Sequence, residues 1–202
     1  DTAEMYADGG AEEVVGQAIR GLRDRVVLVS KVYPWHAGKA AMHRACENSL
    51  RRLQTDYLDM YLLHWRGDIP LQETVEAMEK LVAEGKIRRW GVSNLDTEDM
   101  QALWRTADGE HCATNQVLYH LASRGIEYDL LPWCQQHSLP VMAYCPLAQA
   151  GRLRDGLFQH SDIINMANAR GITVAQLLLA WVIRHPGVLA IPKAASIEHV
   201  VQ

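Results

Sequence analysis

Basic charge is the first thing this sequence lacks. Its 20 Lys+Arg residues are outnumbered by 24 Asp+Glu, leaving a formal charge of −4 at pH 7. No net positive field exists to hold nucleic acid or an anionic membrane surface. Long apolar runs are missing too. The longest, residues 177–183, falls far short of the roughly 20 residues that cross a bilayer. Four cysteines occur in 202 residues, at positions 46, 112, 134 and 145, with no C-x-x-C pair among them. A chain of this size can build its core without staples, so reduced thiols are expected. Nine histidines are present, but none falls in an H-E-x-x-H or a close His/Cys cluster, and no metal is expected. The phosphate loops G-x-G-x-x-G and G-x-x-x-x-G-K-[ST] are absent, and GVSNL around Ser93 lacks the second Gly of a nucleophile elbow.

What is present is regular alternation. Short β-rich runs at 26–31, 57–64, 87–94, 113–118, 140–146 and 188–193 are separated by helical patterns at 11–22, 39–54, 71–84, 97–106, 127–137, 162–169 and 174–185. Several of the runs are nearly continuous in apolar residues, as in parallel strands covered on both faces. Asp96 or Thr97 can cap one helix, Gly85 and Gly171 follow two others, and Thr173 opens the last. Residues 1–202 therefore read as a single α/β domain with a parallel sheet, either open and doubly wound or closed as a barrel.

The position of the polar residues separates these two. Run after run ends in a chemically able group: Lys31, His64, Ser93 and Asn94, Gln116, Tyr144, Lys193. The opening DTAEMY reads as the tail of another strand, with Asp1 at its end. In a (β/α)8 barrel all strands open their C-terminal ends on one face, which carries the active site. A doubly wound sheet uses mainly the strands at its switch point, so the barrel is favoured. The chain starts at Asp1 without a Met, a basic segment or an apolar segment, and stops at Gln202 inside a helical pattern. Both ends are expected to be cut.

The order DTAEMY, VSKV, LLHW, GVSNL, NQVLYH, AYCPLAQAG, IPKA resembles the aldo-keto reductases, in particular bacterial members that reduce methylglyoxal or keto-sugars such as diketogluconate. The resemblance runs the length of the chain. It implies a TIM barrel lacking its first βα unit and its last helix and tail, since such a barrel takes about 250 residues. It also implies NADPH-dependent reduction of aldehydes and ketones, in a cytoplasmic protein that is monomeric when full length. Asp1, Tyr6, Lys31 and His64 match the family's catalytic tetrad. A phenol alone titrates near 10, and an adjacent ammonium lowers that value. Tyr6 is thus the expected proton donor, Lys31 its activator, Asp1 the holder of Lys31, and His64 the group orienting the carbonyl.

The same resemblance assigns the nicotinamide carboxamide to Ser93, Asn94 and Gln116, and the stacking face to Tyr144, with Cys145 and Leu147 beside it. Most relatives have Ser where this chain has Cys145, a weaker donor and an oxidisable one. Lys193 and Ser196 match the positions that hold the 2′-phosphate. His199 stands where many members carry Arg, and is the poorer phosphate ligand. Tyr33 and Trp65 are expected in the substrate wall, with Trp35 as an added candidate. Each residue taken singly has an ordinary explanation in packing, capping or solvation. Two alternatives remain open here: a nicotinamide-binding partner module like the β subunits of potassium channels, and an inactive fragment whose open sheet edges seek partners.

Overall fold

The computed structural model describes residues 1–201. The chain divides into two compact units, Asp1–Asn115 and Gln116–Gln202. In both, strands alternate with helices and pair in parallel.

The first unit carries helix α1 (Gly10–Ala18), strand β1 (Val29–Val32), α2 (Lys39–Leu53), β2 (Leu58–Leu63), α3 (Leu71–Ala83), β3 (Ile87–Ser93) and α4 (Thr97–Trp104). β1 pairs β2 with Val29 opposite Met60, and β2 pairs β3 with Leu58 opposite Ile87. The opening DTAEMY, expected as the tail of a strand, forms no strand of its own but runs beside β1. Thr2 N–H donates to Val29 O and Glu4 N–H to Lys31 O, a parallel register along the free edge of β1. Val26 to Leu28 stay outside β1, because the Asp59 carboxylate takes the Leu28 N–H at 2.9 Å.

Leu58, Leu62 and Ile87 are buried from the sheet, and Met42, Leu53 and Met78 from the helices. The helical stripes therefore close over the strands. Gly16 lets α1 approach α2, since a Cβ there would lie 2.7 Å from the Arg52 carbonyl oxygen. Beside it Glu12 is fully buried, joined to Arg52 at 2.7 Å and accepting from Ser30 Oγ at 2.5 Å. Asp96 Oδ1 caps α4 by accepting from the Asp99 N–H at 2.8 Å.

β4 (Asn115–Leu118) begins at the last residue of the first unit. The second unit continues with α5 (Leu130–Gln136), β5 (Val141–Tyr144), α6 (Arg152–Gln159), α7 (Ser161–Asn168), α8 (Val174–Val182), β6 (Val188–Ile191) and α9 (Ile197–Val201). β5 and β6 pair in parallel, Val141 opposite Val188. Tyr119, Ala143 and Val182 form a core against which Trp181 and Val188 pack. Thr173 and Gln176 form a reciprocal capping box at α8. Helix α6 has no counterpart in the sequence reading. It buries no residue and carries Gly156 in its interior, where glycine lowers helix propensity.

Candidate active site

The first unit gathers four polar groups where its strands end. Lys31, on β1, is buried. Its ammonium donates to Asp1 Oδ1 at 2.6 Å, to the Thr2 carbonyl at 2.9 Å and to the Tyr6 hydroxyl at 3.5 Å. Three acceptors thus surround one buried cation. Burial still pushes the Lys31 ammonium down to about 7, because removal from water penalises its charged form. The Tyr6 side chain is reached by a turn in which Ala7 and Asp8 both have left-handed backbone, φ 51° and 50°.

His64 follows β2 directly and is buried. Its ring meets Tyr6 edge-on, centroids 5.7 Å apart. Burial, and then the Lys31 charge, push the imidazole down to about 4. It is therefore neutral at physiological pH. Its Nδ1 is buried without a hydrogen-bond partner. Asn94 Nδ2 donates to the His64 carbonyl at 3.1 Å and lies 3.1 Å from Ser93 Oγ. Asn94 takes a left-handed backbone, φ 60°, which Asn tolerates better than most residues, and this turns its amide back across the end of β3.

Around these groups stand aromatic rings. Tyr33 stacks on Trp35 with centroids 4.3 Å apart, Trp35 meets Trp65 at 5.7 Å, and Trp65 meets His64 at 4.9 Å. Gly67 permits the close approach of the loop after β2 to the loop after β1. A Cβ there would sit 2.6 Å from Pro34 Cβ.

In the second unit Gln116 is buried on β4, its Nε2 3.9 Å from Met142 Sδ. Tyr144 ends β5, and Cys145 and Leu147 follow it, all three half-buried. Cys145 is left-handed at φ 51°. Lys193 lies beyond β6, which stops at Ile191. Ser196 Oγ accepts from the His199 N–H at 3.2 Å at the start of α9, and Lys193, Ser196 and His199 are all exposed. Among the described residues no group of three or more His, Cys, Asp or Glu side chains is placed to hold a metal ion.

The whole of residues 1–202 matches the Aldo/keto reductase family. The chain belongs to that family. It is 69% identical over 202 residues to the methylglyoxal reductase YeaE of Escherichia coli (strain K12), all of this chain against 71% of that protein. It is 35% identical to the glyoxal reductase of Bacillus subtilis (strain 168), covering 70% of it. Among solved structures, the thermostable aldo-keto reductase Tm1743 in complex with epalrestat superposes with a TM-score of 0.89 at 38% identity, over the whole of this chain and 73% of that one. The chain is thus an oxidoreductase with an incomplete (β/α)8 barrel, as the motif order implied.

Two residues of this aldo-keto reductase site escape a reading of motifs. Thr2 contributes only its carbonyl, to which identity gives no clue. Glu4 is buried, its Oε1 accepting from the Tyr33 N–H at 2.7 Å and lying 3.1 Å from His36 Nδ1. No motif marks it, because its partners Tyr33 and His36 lie 29 and 32 residues along the chain.

Proposed function

We propose that this aldo-keto reductase reduces small dicarbonyls, methylglyoxal foremost, to hydroxy-carbonyl products at the expense of NADPH. The observation that carries the reading is the Lys31 ammonium, buried and within reach of both Asp1 Oδ1 (2.6 Å) and the Tyr6 hydroxyl (3.5 Å). The 69% identity to the methylglyoxal reductase YeaE supports the substrate class.

NADPH, when bound, supplies the hydride that reaches the carbonyl carbon. Tyr6 gives its phenolic proton to the carbonyl oxygen, and the phenolate left behind is stabilised by Lys31 before it regains a proton from solvent. Asp1 keeps the ammonium pointed at Tyr6. His64, being neutral, donates a hydrogen bond to the carbonyl oxygen without competing for its proton. Tyr33 and Trp65, with Trp35, form the apolar side of the substrate site.

The residues suit the cofactor chemically. A carboxamide needs both a donor and an acceptor, and the Ser93 hydroxyl and Asn94 amide offer both at the end of β3. Gln116 adds a second amide, Tyr144 a flat face for the ring, and Cys145 and Leu147 its surroundings. Lys193 and Ser196 would hold the 2′-phosphate. His199 in place of a guanidinium makes the preference over NADH weaker than an Arg would. We further read residues 1–202 as one barrel domain of a cytoplasmic, monomeric enzyme. No helix among the described residues is long and apolar enough to cross a membrane.

The test is loss of nicotinamide absorbance on adding methylglyoxal to the complete protein with NADPH, and then with NADH. Turnover with a higher kcat/KM for NADPH is expected. Folded protein that oxidises neither cofactor in the presence of dicarbonyls would overturn the proposal.

A further inference from the structure

Glu4 is a buried carboxylate that the proton-transfer chemistry does not use. Its backbone N–H is tied to the Lys31 carbonyl at 3.4 Å, so the residue is fixed against β1 in the short segment that carries Asp1 and Tyr6. Its side chain reaches the other way, into the loop after β1. There one oxygen, Oε1, receives the Tyr33 N–H at 2.7 Å and faces His36 Nδ1 at 3.1 Å. The loop between these two partners carries Trp35, and 58% of that residue is exposed, leaving ring surface open to a ligand. His36 also packs edge-on against Tyr33, centroids 5.8 Å apart.

A buried carboxylate is costly unless its oxygens are satisfied. Here one oxygen, Oε1, takes both of its partners from the two ends of the aromatic loop. The Tyr33–Trp35 stack is therefore held in place by a residue of the segment that bears the proton donor. Aromatic faces prefer planar, polarisable partners, so a rigid stack beside His64 and Trp65 favours a substrate with a flat apolar substituent on its carbonyl.

Resting on the reductase reading above, we propose that Glu4 is a positioning residue for substrate selectivity: through Tyr33 and His36 it fixes the aromatic wall and favours dicarbonyls bearing a planar apolar group. It touches neither substrate nor cofactor.

The experiment compares phenylglyoxal with methylglyoxal in wild type, Glu4→Ala, Glu4→Gln and His36→Ala, each checked for native circular dichroism. Glu4→Ala is expected to lower the kcat/KM ratio of phenylglyoxal to methylglyoxal about tenfold, the scale of one charge-assisted hydrogen bond, mainly through KM. Glu4→Gln keeps an oxygen for the Tyr33 N–H and is expected to restore most of the ratio. His36→Ala, which removes a partly exposed ring, is expected to lower the ratio less than Glu4→Ala does. Both substrates falling equally in Glu4→Ala would mean general loosening and overturn the proposal, as would an unchanged ratio. Should Glu4→Ala not fold, an unchanged ratio in His36→Ala would overturn it alone. Wild-type protein that reduces neither dicarbonyl would instead remove the reductase reading itself, and this inference with it.

Discussion

Lys31 Nζ lies 2.6 Å from Asp1 Oδ1 while its own pKa is pushed down to about 7 by burial. The ion pair and the desolvation oppose each other, and desolvation wins. A cation poised this way can lose its proton within the working range of pH. Reduction needs Lys31 as the ammonium, which stabilises the phenolate that Tyr6 leaves on giving up its proton. We expect kcat/KM for reduction to fall as pH rises through about 7, and the step to vanish in Lys31→Met, whose rate should drop about a hundredfold or more. A pH–rate profile in the reducing direction checks this. A rate that climbs across the same interval would contradict it.

His64 gives a complementary expectation. With its pKa held near 4 by burial and the Lys31 charge, the imidazole stays neutral through the range in which an ordinary histidine titrates. The profile should show no inflection from about pH 5 to 6.5. His64→Ala should lower kcat/KM by about a hundredfold, the usual cost of losing one donor to a developing oxyanion. An inflection near the ordinary histidine value that disappears in His64→Ala would show that the ring charges.

Glu12 tests the scaffold and not the chemistry. Its carboxylate is fully buried between Arg52 and Ser30. Removing one partner of a buried pair costs about 3–5 kcal/mol, and Arg52 is partly exposed, so Glu12→Ala should cost about 3 kcal/mol. The shift of the urea midpoint measures it, with the slope unchanged.

Acid sensitivity of the second unit follows from Glu127. Hydrogen bonds from Arg124, against the cost of burial and with help from Tyr119 and Arg184, hold its carboxyl down to about 2, from an ordinary 4.5. Between those values the unfolded chain binds the proton and the folded one does not. The stability Glu127 contributes is thus present above about 4.5 and lost as pH falls toward about 2. In Glu127→Gln, urea midpoints should vary less with pH across that window than in wild type.

Much of this was legible in the sequence because parallel strands buried on both faces write themselves as apolar runs. β2 and β3 begin and end within a residue or two of their patterns, and Asp96, Gly85, Gly171 and Thr173 each punctuate a helix as their chemistry requires. Tyr6 and Lys31 were legible as a pair only through the order of motifs, since nothing in a lone loop tyrosine points to a lysine 25 residues on. The rest was hidden for separate reasons. α6 buries no face, the Thr2 carbonyl belongs to every residue alike, and the buried pair of Glu12 with Arg52 spans 40 residues. Lys193 lies past the strand it was expected to end, because β6 loses its pairing at Ile191.

The central claim is that Tyr6 delivers the proton, and Tyr6→Phe measures it most directly. The phenyl ring keeps the shape of the site and removes only the hydroxyl that Lys31 faces. Steady-state reduction of methylglyoxal with NADPH should fall by about a hundredfold to ten-thousandfold, the usual worth of a general acid, while the dissociation constant for NADPH stays within about twofold of wild type, far less than the tenfold that 1.4 kcal/mol of lost binding would bring. A Tyr6→Phe protein that turns over methylglyoxal at the wild-type rate would contradict the account.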